Sequence, residues 1–145
     1  MRRTSVGPDG ADRLGALPLF EGLSRGQLQM LVRVADQVVA AAGDTIMDQG
    51  DAGYEFMVLE QGSAEVRQDG QRVRVMGAGE FFGELAALSD GAPRTATVIA
   101  LSDVRAFVFT AHFLHELHDR VPELGARIDR VARERFQRDA GLRSA

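Results

Sequence analysis

Nine glycines, at positions 43, 50, 53, 62, 70, 77, 79, 83 and 91, cut the stretch from Val38 to Phe109 into short β-prone runs. Glycine at such intervals marks turns between brief elements, so this stretch reads as strand and turn rather than long helix. The apolar residues agree. Phe56 and Val58, Ala64 and Val66, Val73 and Val75, Ala96 and Val98, and Val104, Ala106 and Val108 each alternate with their neighbours. Period-2 alternation is what a strand buried on one face requires. Asp69-Gly70 between two such runs is a hairpin turn by composition. Many short strands spaced about 8 to 12 residues apart predict a sandwich, roll or barrel.

Helical spacing brackets this region on both sides. Ser24 is placed to cap a helix, with Gln27 reaching back and Leu23 packing on Leu28. Leu28, Leu31, Val32 and Ala35 then recur as one apolar stripe, and Leu17 to Phe20 reads as a short turn beside it. After Thr110, Phe113, Leu114 and Leu117 form a second stripe, and Pro122 opens a third helix carrying Leu124, Ile128 and Val131. The polar opening segment, with Gly7, Pro8, Asp9 and Gly10, is neither a signal peptide nor a membrane span.

Composition removes several kinds of chemistry. There is no Lys and no Cys, so no P-loop lysine, Schiff base, thiol nucleophile, disulfide or thiolate metal site is available. Seventeen basic residues, all Arg, face 21 acidic ones, a net charge of −4 that argues against a nucleic-acid partner. The Arg-rich, Lys-free bias resembles that of a GC-rich bacterial genome. A hydrophobic fraction of 45% at 145 residues is enough for one folded domain.

The strand rhythm breaks at residues 81–98, Phe-Phe-Gly-Glu-Leu-Ala-Ala-Leu-Ser-Asp-Gly-Ala-Pro-Arg-Thr-Ala-Thr-Val. Residues 84–88 are good helix formers after Gly83, and a short helix there would present free N–H groups that attract anions. Glu84 can accept hydrogen bonds from sugar hydroxyls, Arg94 can pair with a phosphate, and Gly83 lets a ligand approach the backbone. Charge spacing alone fits equally well a structural Glu84–Arg94 ion pair closing a loop.

The segment as a whole resembles the phosphate-binding cassette of cyclic nucleotide-binding domains. Phe82-Gly83-Glu84-Leu85 matches its start and Pro93-Arg94-Thr95-Ala96-Thr97 its end. The interval from Glu84 to Arg94 has the longer form found in transcription-activator members. Leu19-Phe20 through Leu23-Ser24, Gly43, Ile46, Gly50-Asp51, Phe56, Gly62, Val66 and the approach Gly79-Glu80-Phe81-Phe82 extend the likeness across about residues 17–138.

The resemblance implies a mainly β fold with flanking helices: an eight-stranded antiparallel, jelly-roll-like β-roll with an N-terminal helix, a short cassette helix and two C-terminal helices. It implies a domain at 17–138, a flexible tail at 1–16 and a C-terminal tail at 139–145. Glu84 would receive the ribose 2′-hydroxyl, the backbone of Gly83 and Leu85 would hold ribose and phosphate, and Arg94 would pair with the cyclic phosphate. Phe82 and Pro93 belong to the same motif. Thr95 would lie beside the base, where members with threonine take cGMP and also cAMP. Register with the family places Val66 and Met76 as apolar walls of the base pocket, Arg74 as a polar neighbour, and Arg135 or Phe136 as the lid.

The expected protein is a cytoplasmic, non-catalytic sensor whose ligand is cAMP or cGMP, with no cofactor and no membrane insertion. A downstream effector protein is implied but not identified, and a homodimer is compatible. The competing readings are a degenerate β-roll scaffold and a cupin-like metal enzyme. The strand region contains no histidine, which leaves a cupin without its usual ligands. His112, His115 and His118 recur every three residues and drift around their helix, as solvated surface histidines do.

Overall fold

A computed structural model describes residues 1–84 and 91–144 of the chain. Among them lie nine strands: β1 (Arg2–Ser5), β2 (Asp36–Ala40), β3 (Thr45–Met47), β4 (Glu55–Gln61), β5 (Ala64–Gln68), β6 (Gln71–Met76), β7 (Phe81–Phe82), β8 (Thr97–Ala100) and β9 (Val104–Thr110). The helices are α1 (Gly10–Gly15), α2 (Arg25–Val34), α3 (Ala111–Arg120) and α4 (Pro122–Ser144), with a 3-10 turn at Pro18–Phe20. The strands form two antiparallel sheets, ordered β1-β2-β9-β4-β7 and β3-β8-β5-β6.

Strand alternation explains the layering. On β4, Phe56 and Val58 join a cluster with the helices, whereas Met57 and Leu59 face the second sheet; on β9, Phe107 and Phe109 divide from Ala106 and Val108 in the same way. The five-stranded sheet is therefore buried on both faces, giving a helix, sheet, sheet stack. Phe109 anchors the helical cluster, its ring centroid 5.2 Å from Phe56, 6.0 Å from Phe113 and 6.3 Å from Phe20. Each large apolar side chain buried this way contributes about 1.5–3 kcal/mol.

Local sequence signals are used as their chemistry suggests. Ser24 Oγ accepts from the Gln27 N–H at 3.1 Å, and Gln27 Oε1 accepts from the Ser24 N–H at 2.9 Å, closing a capping box on α2. Asp69 and Gly70 both have positive φ, 52° and 80°, the backbone that a tight β5–β6 hairpin needs. Pro122 starts α4, and Leu124 and Ile128 are buried beneath it.

Two expectations at the ends differ from what is found. Residues 1–16, expected as a flexible tail, contain β1 and α1. β1 pairs in register with β2, and Arg13 of α1 donates to both carboxylate oxygens of Glu60, at 2.9 and 2.7 Å. Long-range pairing and ion pairs order a segment whose own sequence carries no periodic signal; β1 is also the strand beyond the expected eight. At the other end α4 continues to Ser144, through the residues expected as a tail.

Candidate functional site

The site is assembled where β7 leaves the sandwich. Gly83 has φ +86°, and a Cβ there would lie 2.7 Å from Arg94 Nη1, 2.7 Å from Met47 Cε and 3.0 Å from the Glu55 carbonyl oxygen. Only glycine fits without displacing a neighbour. Its carbonyl accepts a hydrogen bond from Arg94 Nη1 at 3.0 Å.

Arg94 is held by its backbone. Pro93 bridges to Ala52, Arg94 N–H donates to Asp51 O at 2.7 Å, Gly50 N–H donates to Arg94 O at 3.0 Å, and Gly53 N–H donates to Ala92 O at 3.1 Å. The loop bearing Arg94 is thereby laced to residues 50–53. Burial pulls the Arg94 guanidinium below the usual arginine range, and Glu55, Glu84 and Asp51 oppose that shift from a distance. Among the described residues no carboxylate oxygen lies within 4 Å of it. A desolvated cation whose bond among the described residues is to a carbonyl is prepared for an anion.

Glu84 is 2% exposed, and its carboxylate accepts from Arg135 Nη1 of α4 at 2.8 Å. The Arg135 guanidinium carbon sits 4.7 Å from the Phe81 ring centroid. The pocket between these groups has an apolar floor of Met47, Val66, Val73, Phe82 and Val98 and a rim of Arg74, Gly83, Glu84, Arg94, Thr95, Ala96 and Arg135. Among the described lining residues three guanidiniums face one carboxylate, a balance that favours a negative ligand. The pocket's free volume is about 50 Å³, against roughly 300 Å³ or more for a small-molecule pocket. The side chain of Arg135 occupies the ground beside Glu84.

Of the residues singled out from sequence, Phe82, Val66, Arg74, Gly83, Glu84, Arg94, Thr95 and Arg135 are brought together around this pocket. Among the described residues, Met76 and Pro93 do not line it. Met76 is fully buried opposite Ala64 in the core between the sheets. Pro93 is exposed and contributes its bridge to Ala52, while Leu85 and the side chain of Phe136 lie outside the described residues. Met47, Val73, Ala96 and Val98 had not been assigned to the site. Val73 was hidden by a bulge: Val66 pairs with Arg74 and Arg67 with Arg72, so Val73 is extra and joins Arg74 in lining the pocket, while Val75 stays exposed.

His118 is also more than a solvated residue. Its Nδ1 lies 3.0 Å from Leu114 O and its Nε2 3.0 Å from both oxygens of Asp129 on α4. Gly125 permits this, since a Cβ there would meet the imidazole at 3.0 Å.

The sequence matches the family model described as "Cyclic nucleotide-binding domain" over residues 37–121. A cAMP-dependent protein kinase regulatory subunit of Hypocrea atroviridis is 38% identical over 92 residues, covering 63% of this chain and 20% of that one. A cyclic nucleotide-gated potassium channel of Rhizobium etli is 34% identical over 122 residues, covering 84% and 34%. The cAMP-binding acyltransferase from Mycobacterium smegmatis superposes with a TM-score of 0.72 at 32% identity, covering 88% of this chain and 40% of that one. The chain thus spans about a fifth to a third of the length of these first two relatives.

Proposed function

The chain belongs to the cyclic nucleotide-binding domain family, and on that footing we propose that it is a non-catalytic regulatory module that takes up cAMP or cGMP. The observation that carries this reading is Arg94: a half-buried guanidinium with no carboxylate within 4 Å among the described residues, at the rim of a pocket with a net positive lining. A cyclic phosphate supplies the missing partner. Glu84 would accept the ribose 2′-hydroxyl, the amides near Gly83 and Leu85 would steady sugar and phosphate, and Val66, Val73, Arg74 and Thr95 would surround the base.

Arg135 makes the module a sensor. In the described conformation it holds the carboxylate that the ribose would use, so ligand and Arg135 compete for Glu84. Nucleotide entry then releases α4, and differential affinity for the two arrangements becomes helix displacement. A downstream effector would read the position of α4. No described helix is long and apolar enough to cross a membrane.

Calorimetry on ligand-stripped protein tests the assignment. Arg94→Ala should cost about 2–5 kcal/mol, a drop of roughly one and a half to three and a half decades in affinity for the nucleotide; equal affinity in variant and parent would remove Arg94 from the site. The small free volume favours a second reading, a scaffold whose pocket is permanently closed by Arg135. Absence of binding heat for both nucleotides in the parent would establish that alternative.

A further inference from the structure

The amino-terminal strand reaches the phosphate side of the pocket through one ion pair. Arg3 on β1 donates from Nη1 to Glu55 Oε2 at 2.6 Å and from Nη2 to Glu55 Oε1 at 2.7 Å. Both carboxylate oxygens are engaged, a two-point geometry that fixes the side chain as well as pairing its charge. Asp36 stands further back, 3.7 Å from the same guanidinium.

Glu55 begins β4, next to the backbone on which Gly83 rests, and it lines with Arg94 a second cleft of about 420 Å³ that also includes Tyr54, Thr110 and His112. Arg94 therefore forms a wall between this cleft and the nucleotide pocket. Among the negative charges acting on Arg94, Glu55 comes ahead of Glu84 and Asp51. His112 is occupied with Glu116 at 3.2 Å. A Glu55 carboxylate released from Arg3 would find Arg94 as the arginine lining its own cleft, and would compete there with any anionic ligand.

We propose that Arg3 is a positioning residue for the phosphate site: it holds Glu55 in a fork and keeps Arg94 open to an incoming anion. This rests on Arg94 being the phosphate ligand. It gives β1 a role in affinity that its distance along the chain from residues 83–95 does not suggest.

A double-mutant cycle on the full chain decides the matter, using calorimetry with cAMP and cGMP on ligand-stripped protein. Arg3→Ala should weaken binding about three- to tenfold, because an unguarded carboxylate next to Arg94 repels and displaces the phosphate. Glu55→Gln alone should bind at least as well as the parent. The double variant should return to within about twofold of Glu55→Gln. If Arg3 merely ties β1 to the sheet, Glu55→Gln breaks the same tie, so the double variant would bind no better than Arg3→Ala and the proposal fails. A second readout needs no ligand: the Nε–H resonance of Arg94 in the free protein should move on Arg3→Ala and return in the double variant. A parent that takes up neither nucleotide overturns the functional assignment alone, and the Arg94 resonance still decides the role of Arg3; a resonance indifferent to Arg3→Ala rejects it.

Discussion

Gly83 shows how much of the site depends on one missing methyl. Its φ of +86° lies where an L-residue costs about 1–2 kcal/mol, and two of the three atoms around its absent Cβ are the mobile tips of Arg94 and Met47. We expect Gly83→Ala to fold with stability lower by about 1–3 kcal/mol, and to lose ligand affinity more steeply because Arg94 must move. A thermal melt paired with calorimetry reads both; a destabilised variant with parental affinity would show that Arg94 is not placed by Gly83. At this scale Gly83, Glu84, Arg94 and Thr95 were legible because their chemistry is concentrated in one short segment. Met76 sits opposite Ala64 on the regular part of the β5–β6 ladder and is buried in the core, whereas Val73 was missed because the bulge between Val66 and Arg67 leaves no mark in the alternation. The Glu84–Arg135 pair was out of reach for another reason: the residues stand 51 apart in sequence and meet only through the path of α4.

The elbow between α3 and α4 carries its own titration. Nδ1 of His118 faces a carbonyl and Nε2 faces Asp129, two acceptors that are both satisfied only by the imidazolium. The hydrogen bond to Asp129 raises the His118 pKa above its ordinary 6.5, with the Leu114 carbonyl and the charges of Asp129 and Asp119 adding to it and burial opposing. A raised folded-state value means that the stabilisation is complete below about pH 6.5 and fades as pH climbs through the folded pKa. The stability gap between the parent and His118→Gln should therefore shrink from pH 6 to pH 9. The pair is about a third exposed, so the gap at its largest should stay under about 1 kcal/mol. Urea melts across that range would measure it, and a gap constant with pH would mean the ring is neutral in this contact. The helices α2, α3 and α4 were readable from their apolar stripes, yet α1 and β1 were not. Four polar residues without alternation announce no strand, and only pairing with β2 and the Arg3–Glu55 fork make one.

Across the whole molecule, two apolar clusters lie on opposite faces of one sheet, and the site sits where the inner cluster meets the helical layer. The strand-and-turn rhythm forecast the sheets, while the order in which they stack depends on long-range partners that periodicity does not encode. Glu84 follows β7 of the sandwich and Arg135 lies on α4, so their ion pair is a polar fastening between the sandwich and that helix. Arg135→Ala leaves a 2% exposed carboxylate without its cation and should cost the ligand-free protein about 3–5 kcal/mol. Hydrogen exchange should speed up along α4 while β4 and β9 keep their protection; uniform acceleration everywhere would mean that the pair supports the fold generally and does not fasten one helix. The length of α4 sets what that fastening can transmit. Arg135 stands 13 residues and Ser144 22 residues beyond Pro122, about 20 and 33 Å at 1.5 Å per residue. For a rigid rod pivoting at its proline, each ångström of travel at Arg135 would become about 1.7 Å at Ser144, so the displacement proposed for nucleotide entry would grow along the helix.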